Sequence, residues 1–205
     1  MRARLTFALS CTFALKRVVL AAVLGSIASL ASAESSAPAE PSVSDDPTRF
    51  GARFSFDESI WQRQPSGSDL RLGCHLPECR PGEWPGLAVC GIAFFTQHDP
   101  RWASTAELPR RIDMTMSARM TAAMIAAPTT LRGRVTAPYK PCANGVDALC
   151  MSVALEGRGP PGVAFAFMTA RNGYRVEGDC RFLPPMTERG PALFDAVLKG
   201  FRWVE

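Results

Sequence analysis

Histidine is nearly missing from this chain: only His75 and His98 occur in 205 residues, so any histidine-based catalysis must use one of two positions. No G-x-S-x-G elbow supports a serine nucleophile, and no H-E-x-x-H supports a zinc protease. C-x-x-C is absent too, which removes the thioredoxin type of redox site. No cofactor motif and no internal repeat is found. Beyond residue 33 no apolar stretch approaches the roughly 18 residues that suggest a membrane span. Net charge is also lacking once the first 33 residues are set aside. The formal +4 of the whole chain comes from Arg2, Arg4, Lys16 and Arg17, and the remaining Lys and Arg balance the 19 Asp and Glu. A neutral chain with thinly spread arginines offers neither the field nor the patch that nucleic acid needs.

What is present begins with a targeting signal. Basic residues precede an uncharged apolar run from Val18 to Leu30, and Ala31-Ser32-Ala33 supplies the small-x-small pattern cut by signal peptidase. Residues 1–33 are therefore read as a signal peptide, and the product is expected in the periplasm or outside the cell. There Cys74, Cys79, Cys90, Cys142, Cys150 and Cys180 read as a framework of three disulfides. Six cysteines admit fifteen pairings. The local expectation is Cys142 with Cys150 across the Asn144-Gly145 turn, with the other four pairing among themselves.

Residues 34–48 are rich in Ser, Pro, Ala and acid, and read as a flexible leader. Residues 49–205 are expected to form one domain, long enough to build a core of its own. Arg53–Asp57 and Asp69–Cys74 alternate with period two, and the Pro-Ser-Gly-Ser turn between them suggests a hairpin. Leu87–Phe95 is a nearly continuous apolar run and predicts a strand buried on both faces. Ser104 and Glu107 have capping-box spacing, so one helix is expected from Thr105 or Leu108 to Ala126, ended by Pro128. Ile112, Met116, Met120 and Met124 recur every four residues along it and are expected to face the core, given methionine's gap-filling habit. Strands follow at Leu131–Lys140, Leu149–Leu155 and Val163–Ala170. Asn172-Gly173 then predicts a hairpin turn into Tyr174–Phe182. A closing helix at Pro191–Lys199 lines Leu193, Phe194, Val197 and Leu198 on one face with Phe201 after it, and Gly200 serves as its C-cap. The fold class is α+β: an antiparallel sheet with one long central helix and a C-terminal helix packed on it, braced by disulfides.

Phe54-Ser55-Phe56 leading to Trp61, and the strand, Asn172-Gly173, strand, terminal helix, Gly200-Phe201-Arg202-Trp203 order at the close, resemble the PsbP-like fold over Phe50 to Glu205. The six cysteines depart from that family's pattern. The resemblance implies a binding or assembly role and carries over no catalytic residue.

Cys74-His75-Leu76-Pro77-Glu78-Cys79 is the densest cluster of potential metal ligands. Neighbours on an extended chain point opposite ways, and oxidation removes the thiolates, so a disulfide is expected there and no metal. The binding candidates are Trp84, held between Gly82-Glu83 and Pro85-Gly86, and His98-Asp99 in a loop after an apolar strand. Their bland alternatives are a plug over the disulfides and a solvated turn. Gly157–Gly162 holds two prolines and reads as a connecting turn, not a phosphate loop. The leading functional reading is an exported noncatalytic binding or accessory protein whose partner is an unknown protein or small ligand outside the cytoplasm. The alternative is a small exported hydrolase or metal-dependent enzyme using His98 or His75.

Overall fold

A computed structural model describes residues 43–66, 69–79 and 86–204 of the chain. Its strands are β1 (Val43–Arg49), β2 (Ala52–Asp57), β3 (Trp61–Gln64), β4 (Leu70–Cys74), β5 (Ala88–Phe95), β6 (Arg132–Pro141), β7 (Leu149–Glu156), β8 (Gly162–Arg171), β9 (Tyr174–Phe182) and β10 (Phe201–Trp203). The helices are α1 (Leu108–Arg111), α2 (Met114–Ala126) and α3 (Gly190–Lys199). Seven strands form one antiparallel sheet in the order β3-β4-β5-β9-β8-β7-β6, and β1-β2-β10 form a second, three-stranded sheet. The α+β class and the antiparallel sheet with a packed C-terminal helix are as expected.

The expected hairpin between the first two strands is not made. The Asp57 carboxylate accepts from the Ser59 amide at 2.8 Å, and the Ile60 amide bonds the Asp57 carbonyl at 3.1 Å. This side-chain turn ends β2 and sends the chain to the other sheet. β2 pairs with β1 and β10, while β4 takes the unforeseen four-residue β3 as its partner. Pairing therefore begins at Val43, inside the stretch read as a leader.

The single long helix is also divided. Ser104 makes no side-chain cap, and Ile112 is extended at φ −124° and ψ 139°. Asp113 then accepts from the amides of Thr115 and Met116, both at 3.0 Å, and restarts the chain as α2. Aspartate is among the best N-cap residues, and here it outcompetes continuation through Ile112.

The methionine stripe faces outward. Met116, Met120 and Met124 are 55%, 58% and 61% exposed, whereas Ala118, Ala122, Ile125 and Ala126 are buried. Small residues let the helix backbone lie against β6 at Gly133, where an added Cβ would sit 2.2 Å from the Ala122 carbonyl oxygen. A close-packed small face excludes the bulky one, so the core expectation for the methionines is overturned.

The two faces of the seven-stranded sheet are filled differently. On one, Cys90, Ile92, Phe94, Phe167, Cys180 and Phe182 pack beneath α3 and the smaller sheet, which contribute Leu193, Phe194, Leu198, Phe54 and Phe201. The closing helix buries the face its periodicity predicts. Gly200 does end it, but with φ −74°, so the left-handed C-cap is not used. Its glycine is required by approach: a Cβ there would lie 1.8 Å from the Ser55 carbonyl oxygen. On the other face, α2 packs over Met151, Val153, Leu155, Ala164 and Ala166 of β7 and β8. The Asn172-Gly173 turn has φ of 51° and 83°, the two positive values that a tight hairpin turn demands. The outer strand β6 is broken by register shifts near Ala137 and carries exposed Arg132, Arg134 and Lys140, devices that blunt a sheet edge.

Candidate functional site

β9 reads Tyr-Arg-Val-Glu-Gly-Asp-Cys-Arg-Phe, so charged and apolar residues alternate along it. Val176, Cys180 and Phe182 enter the core beneath α3. Period two then places Arg175, Glu177, Asp179 and Arg181 in a row on the α2 side. Small residues flank the middle of this row, with Val89 beside Arg181, Met168 beside Glu177 and Phe95 beside Arg175 as the larger neighbours. Gly91 of β5 and Ala166 of β8 pair with Asp179, Ala93 pairs with Glu177, and Ala164 pairs with Arg181. Because α2 lies across β6 and β7, it leaves the β4-β5-β9 half of this face open. For this reason β5 is fully buried on one face only: Ala88, Cys90, Ile92 and Phe94 are covered, while Val89, Gly91 and Ala93 are half-buried and Phe95 is exposed.

The opening is a groove. A cavity of about 310 Å³ is lined by Arg71, Ala93, Thr121, Tyr139, Glu177 and Asp179 among others. A neighbouring cavity of about 270 Å³ continues past Asp179 to Val89, Pro128 and Arg181. Arg71, Gly91, Met124 and Asp179 line both.

Burial sets the electrostatics. It pushes the Asp179 carboxyl up to about 6, against the opposing pull of Arg181 and Arg71. It raises Glu177, partly offset by Arg175, and lifts the Tyr139 phenol to about 12, partly offset by the Thr121 hydroxyl 3.3 Å away. Arg181 is only 6% exposed, and burial lowers it against the attraction of Asp179. Its Nη1 donates to the Ile125 carbonyl at 3.5 Å, at the C-terminal end of α2, and its buried Nε makes no hydrogen bond. The Arg175 guanidinium lies 4.0 Å from the Phe95 ring centre and 4.6 Å from that of Trp102, and its Nε, 3.2 Å from a Glu177 oxygen in an ion pair, likewise makes no hydrogen bond. Buried charges without a full set of partners cost stability, and a ligand that supplies the missing partners recovers part of that cost.

No strongly activated nucleophile lines the groove. Tyr139 is shifted away from ionisation, and no cluster of three or more His, Cys, Asp or Glu among the described residues could hold a metal. The residues singled out from sequence lie elsewhere. Asp99 caps the short turn Pro100–Trp102, accepting from the Arg101 amide at 2.9 Å and pairing with the Arg101 side chain, which holds its carboxyl below the usual range. His98 is exposed and sits edge-on to Tyr174 at 5.3 Å, over Gly173. His75 is also exposed and bonds the Ser59 carbonyl at 2.9 Å. The two histidines follow the C-terminal ends of antiparallel neighbours β4 and β5, so they stand at opposite ends of the sheet. Trp84 lies outside the described residues, as do residues 1–33 and the signal read there.

The cysteines pair as Cys74–Cys79, Cys90–Cys180 and Cys142–Cys150. The last is the expected local bridge. Cys90–Cys180 joins register partners of β5 and β9 directly beneath the groove floor. The charged row itself was missed from sequence, although four charges spaced two apart on a strand bounded by apolar residues are a legible sign that one face is not packed against a dry layer.

A solved structure shares the architecture. The cyanobacterial PsbP protein (CyanoP) from Synechocystis sp. PCC 6803 superposes with a TM-score of 0.52 at 15% identity, over 85% of this chain and 98% of that one. The fold is PsbP-like. A protein from Bacteroides thetaiotaomicron VPI-5482 gives a TM-score of 0.43 at 7% identity over 76% of this chain, which spans 46% of that protein's length. LpqN, involved in cell envelope biogenesis of Mycobacterium tuberculosis, gives 0.36 at 11% identity over 83% of this chain and 88% of that one. At those two scores the likeness carries no argument. No family model and no curated protein sequence matches the chain. Among the described residues, no helix is long and apolar enough to cross a membrane.

Proposed function

We propose that this is an exported, noncatalytic binding or accessory protein, and that its ligand occupies the groove between α2 and the open half of the sheet. The observation that carries the reading is the run Glu177, Asp179, Arg181 on the central strand β9, which lines two adjoining cavities beside Gly91 and Ala93. A row of charges on a central strand is an expensive floor for a protein that uses it for nothing. Three disulfides support an oxidising compartment, and the separation of His75 from His98 supports binding over histidine chemistry.

Gly91 supplies the test. A Cβ there meets nothing closer than the Asp179 Oδ1 at 3.9 Å, so Gly91→Phe fills the groove without a backbone clash. The wild-type protein and this variant are incubated with a small-molecule extract of the native extracellular medium, washed and denatured, and the released compounds are identified by mass spectrometry. The wild type is expected to retain a compound unchanged and the variant to release none. Equal retention by both, or conversion of the retained compound, overturns the proposal.

A further inference from the structure

The groove is electrically polarised along β9, and that polarity narrows what it takes. At one end Arg181 stands beside Val89 and Pro128, and Arg71, level with Asp179 across Gly91, adds a second guanidinium toward the middle. At the other, Glu177 and Asp69 line the wall with Tyr139 and Thr121. Asp179 lies between them, above Gly91. The buried Nε of Arg181 has no hydrogen-bond partner, although the side chain is more than nine-tenths buried and lines the cavity. The Nε of Arg175 is without a hydrogen bond in the same way, so both arginines of β9 are short of an acceptor.

Resting on the binding reading above, the geometry points to a short zwitterionic peptide of two or three small residues as the ligand class, its carboxylate held by Arg71 and Arg181 and its ammonium by Glu177. Length is the first reason. Glu177 and Arg181 are four residues apart on a strand, about 13 Å at about 3.3 Å per residue, and an extended tripeptide spans about 10–11 Å before side chains reach for it. Volume is the second, since cavities of about 310 and 270 Å³ lie at the small end of ligand pockets, for which about 300–1,000 Å³ is usual. The floor is the third. Gly91 and Ala93 present almost no side chain, so an extended backbone can lie flat, with the Asp179 carboxylate placed to accept an amide N–H. Met124 on the rim is unbranched and pliable, which tolerates varied small side chains without selecting one. A simple anion would engage Arg71 and Arg181 but not Glu177, which pairs with Arg175 at 3.2 Å, whereas a zwitterion engages both ends.

The probes are trialanine, N-acetyl-trialanine and trialanine amide, titrated into the exported protein and followed by amide chemical shifts. Trialanine is expected to move Gly91, Ala93, Gly178 and the 121–125 turn of α2, and each blocked peptide to bind about ten- to hundredfold more weakly, the usual worth of one charge-assisted contact. Arg71→Gln is expected to weaken trialanine to the level of the amide, and Glu177→Gln to the level of the acetylated peptide. Arg71 is exposed, so its variant tests the anion end without disturbing buried Arg181. Equal binding of all three peptides, or shifts confined to other surfaces, overturns the peptide assignment. The binding reading falls separately, if Gly91→Phe retains the native compound as well as the wild type does.

Discussion

The two faces of the seven-stranded sheet use one set of strands for opposite ends. Beneath α3 the strands present Cys90, Ile92, Phe94, Phe167 and Phe182, and the layer is dry and apolar. Beneath α2 the same β5 and β9 present Gly91, Ala93, Glu177, Asp179 and Arg181, and half of that layer stays open. Even the cavities differ. One beside α3, of about 290 Å³, is lined mainly by apolar groups including Phe165, Phe194 and the Cys142–Cys150 bridge, whereas the groove beside α2 is lined by charges. In a strand with period two, stability and recognition can be assigned to alternate residues without competing for the same positions. The face beneath α3 anchors what the α2 face displays.

The largest expected effect concerns the anchor. Replacing Cys90 and Cys180 together by Ala opens a bridge of sequence separation 90, and chain entropy sets its contribution at about 4–5 kcal/mol. The Cys142–Cys150 bridge, of separation 8, is expected to contribute only about 2–3 kcal/mol. Chemical denaturation of the two double variants measures the difference. Equal losses would mean that the dry face does not depend on its central cross-link.

Gly200→Ala comes next, because its Cβ would enter the Ser55 carbonyl where α3 meets the smaller sheet. A loss of about 2–4 kcal/mol in a urea titration is expected, in the range of forced overpacking with backbone shifts. A neutral result would show that this joint has room the dry face is argued to lack.

On the α2 face the test is pH. The Asp179 carboxyl rises from 3.8 to about 6 on folding, chiefly through burial, among Arg181, Arg71, Glu177 and Asp69. Between those two values the unfolded chain has released a proton that the native chain keeps. Stability therefore falls as pH rises from about 4 to about 6, by up to about 3 kcal/mol, and stays lowered above that. Asp179→Asn should flatten that slope in a stability profile, leaving only what Glu177, also raised by burial, contributes. A wild-type profile that rises over the same window would mean that the arginines outweigh burial and that the groove is already satisfied.

The smallest effect is expected on the outer surface of α2. Changing Met116 and Met120 together to Gln should shift stability by no more than about 0.5 kcal/mol, since both are more than half exposed. A thermal melt showing a core-sized loss would return the stripe to the interior.

Local chemistry made much of the framework readable. Asn172-Gly173 called for positive φ values, and both are found there. Leu193, Phe194, Val197 and Leu198 announced the buried face of α3, and the short spacing of Cys142 and Cys150 announced their bridge. Element order and periodicity were enough for the α+β class and the PsbP-like likeness. Each of these depends on residues within a few positions of one another, where backbone geometry leaves few choices.

What the tertiary structure alone decided is where the helices rest. Two stripes of α2 had helical spacing, one of methionine and one of alanine, and hydrophobicity favoured the wrong one. The choice was made by Gly133 on β6, which lets the alanine face approach to backbone contact. That placement left half of the sheet uncovered and turned alternate charges on β9 into the wall of a groove. Its cause is a contact between segments separated along the chain, and the period of either segment alone cannot express which partner it will meet.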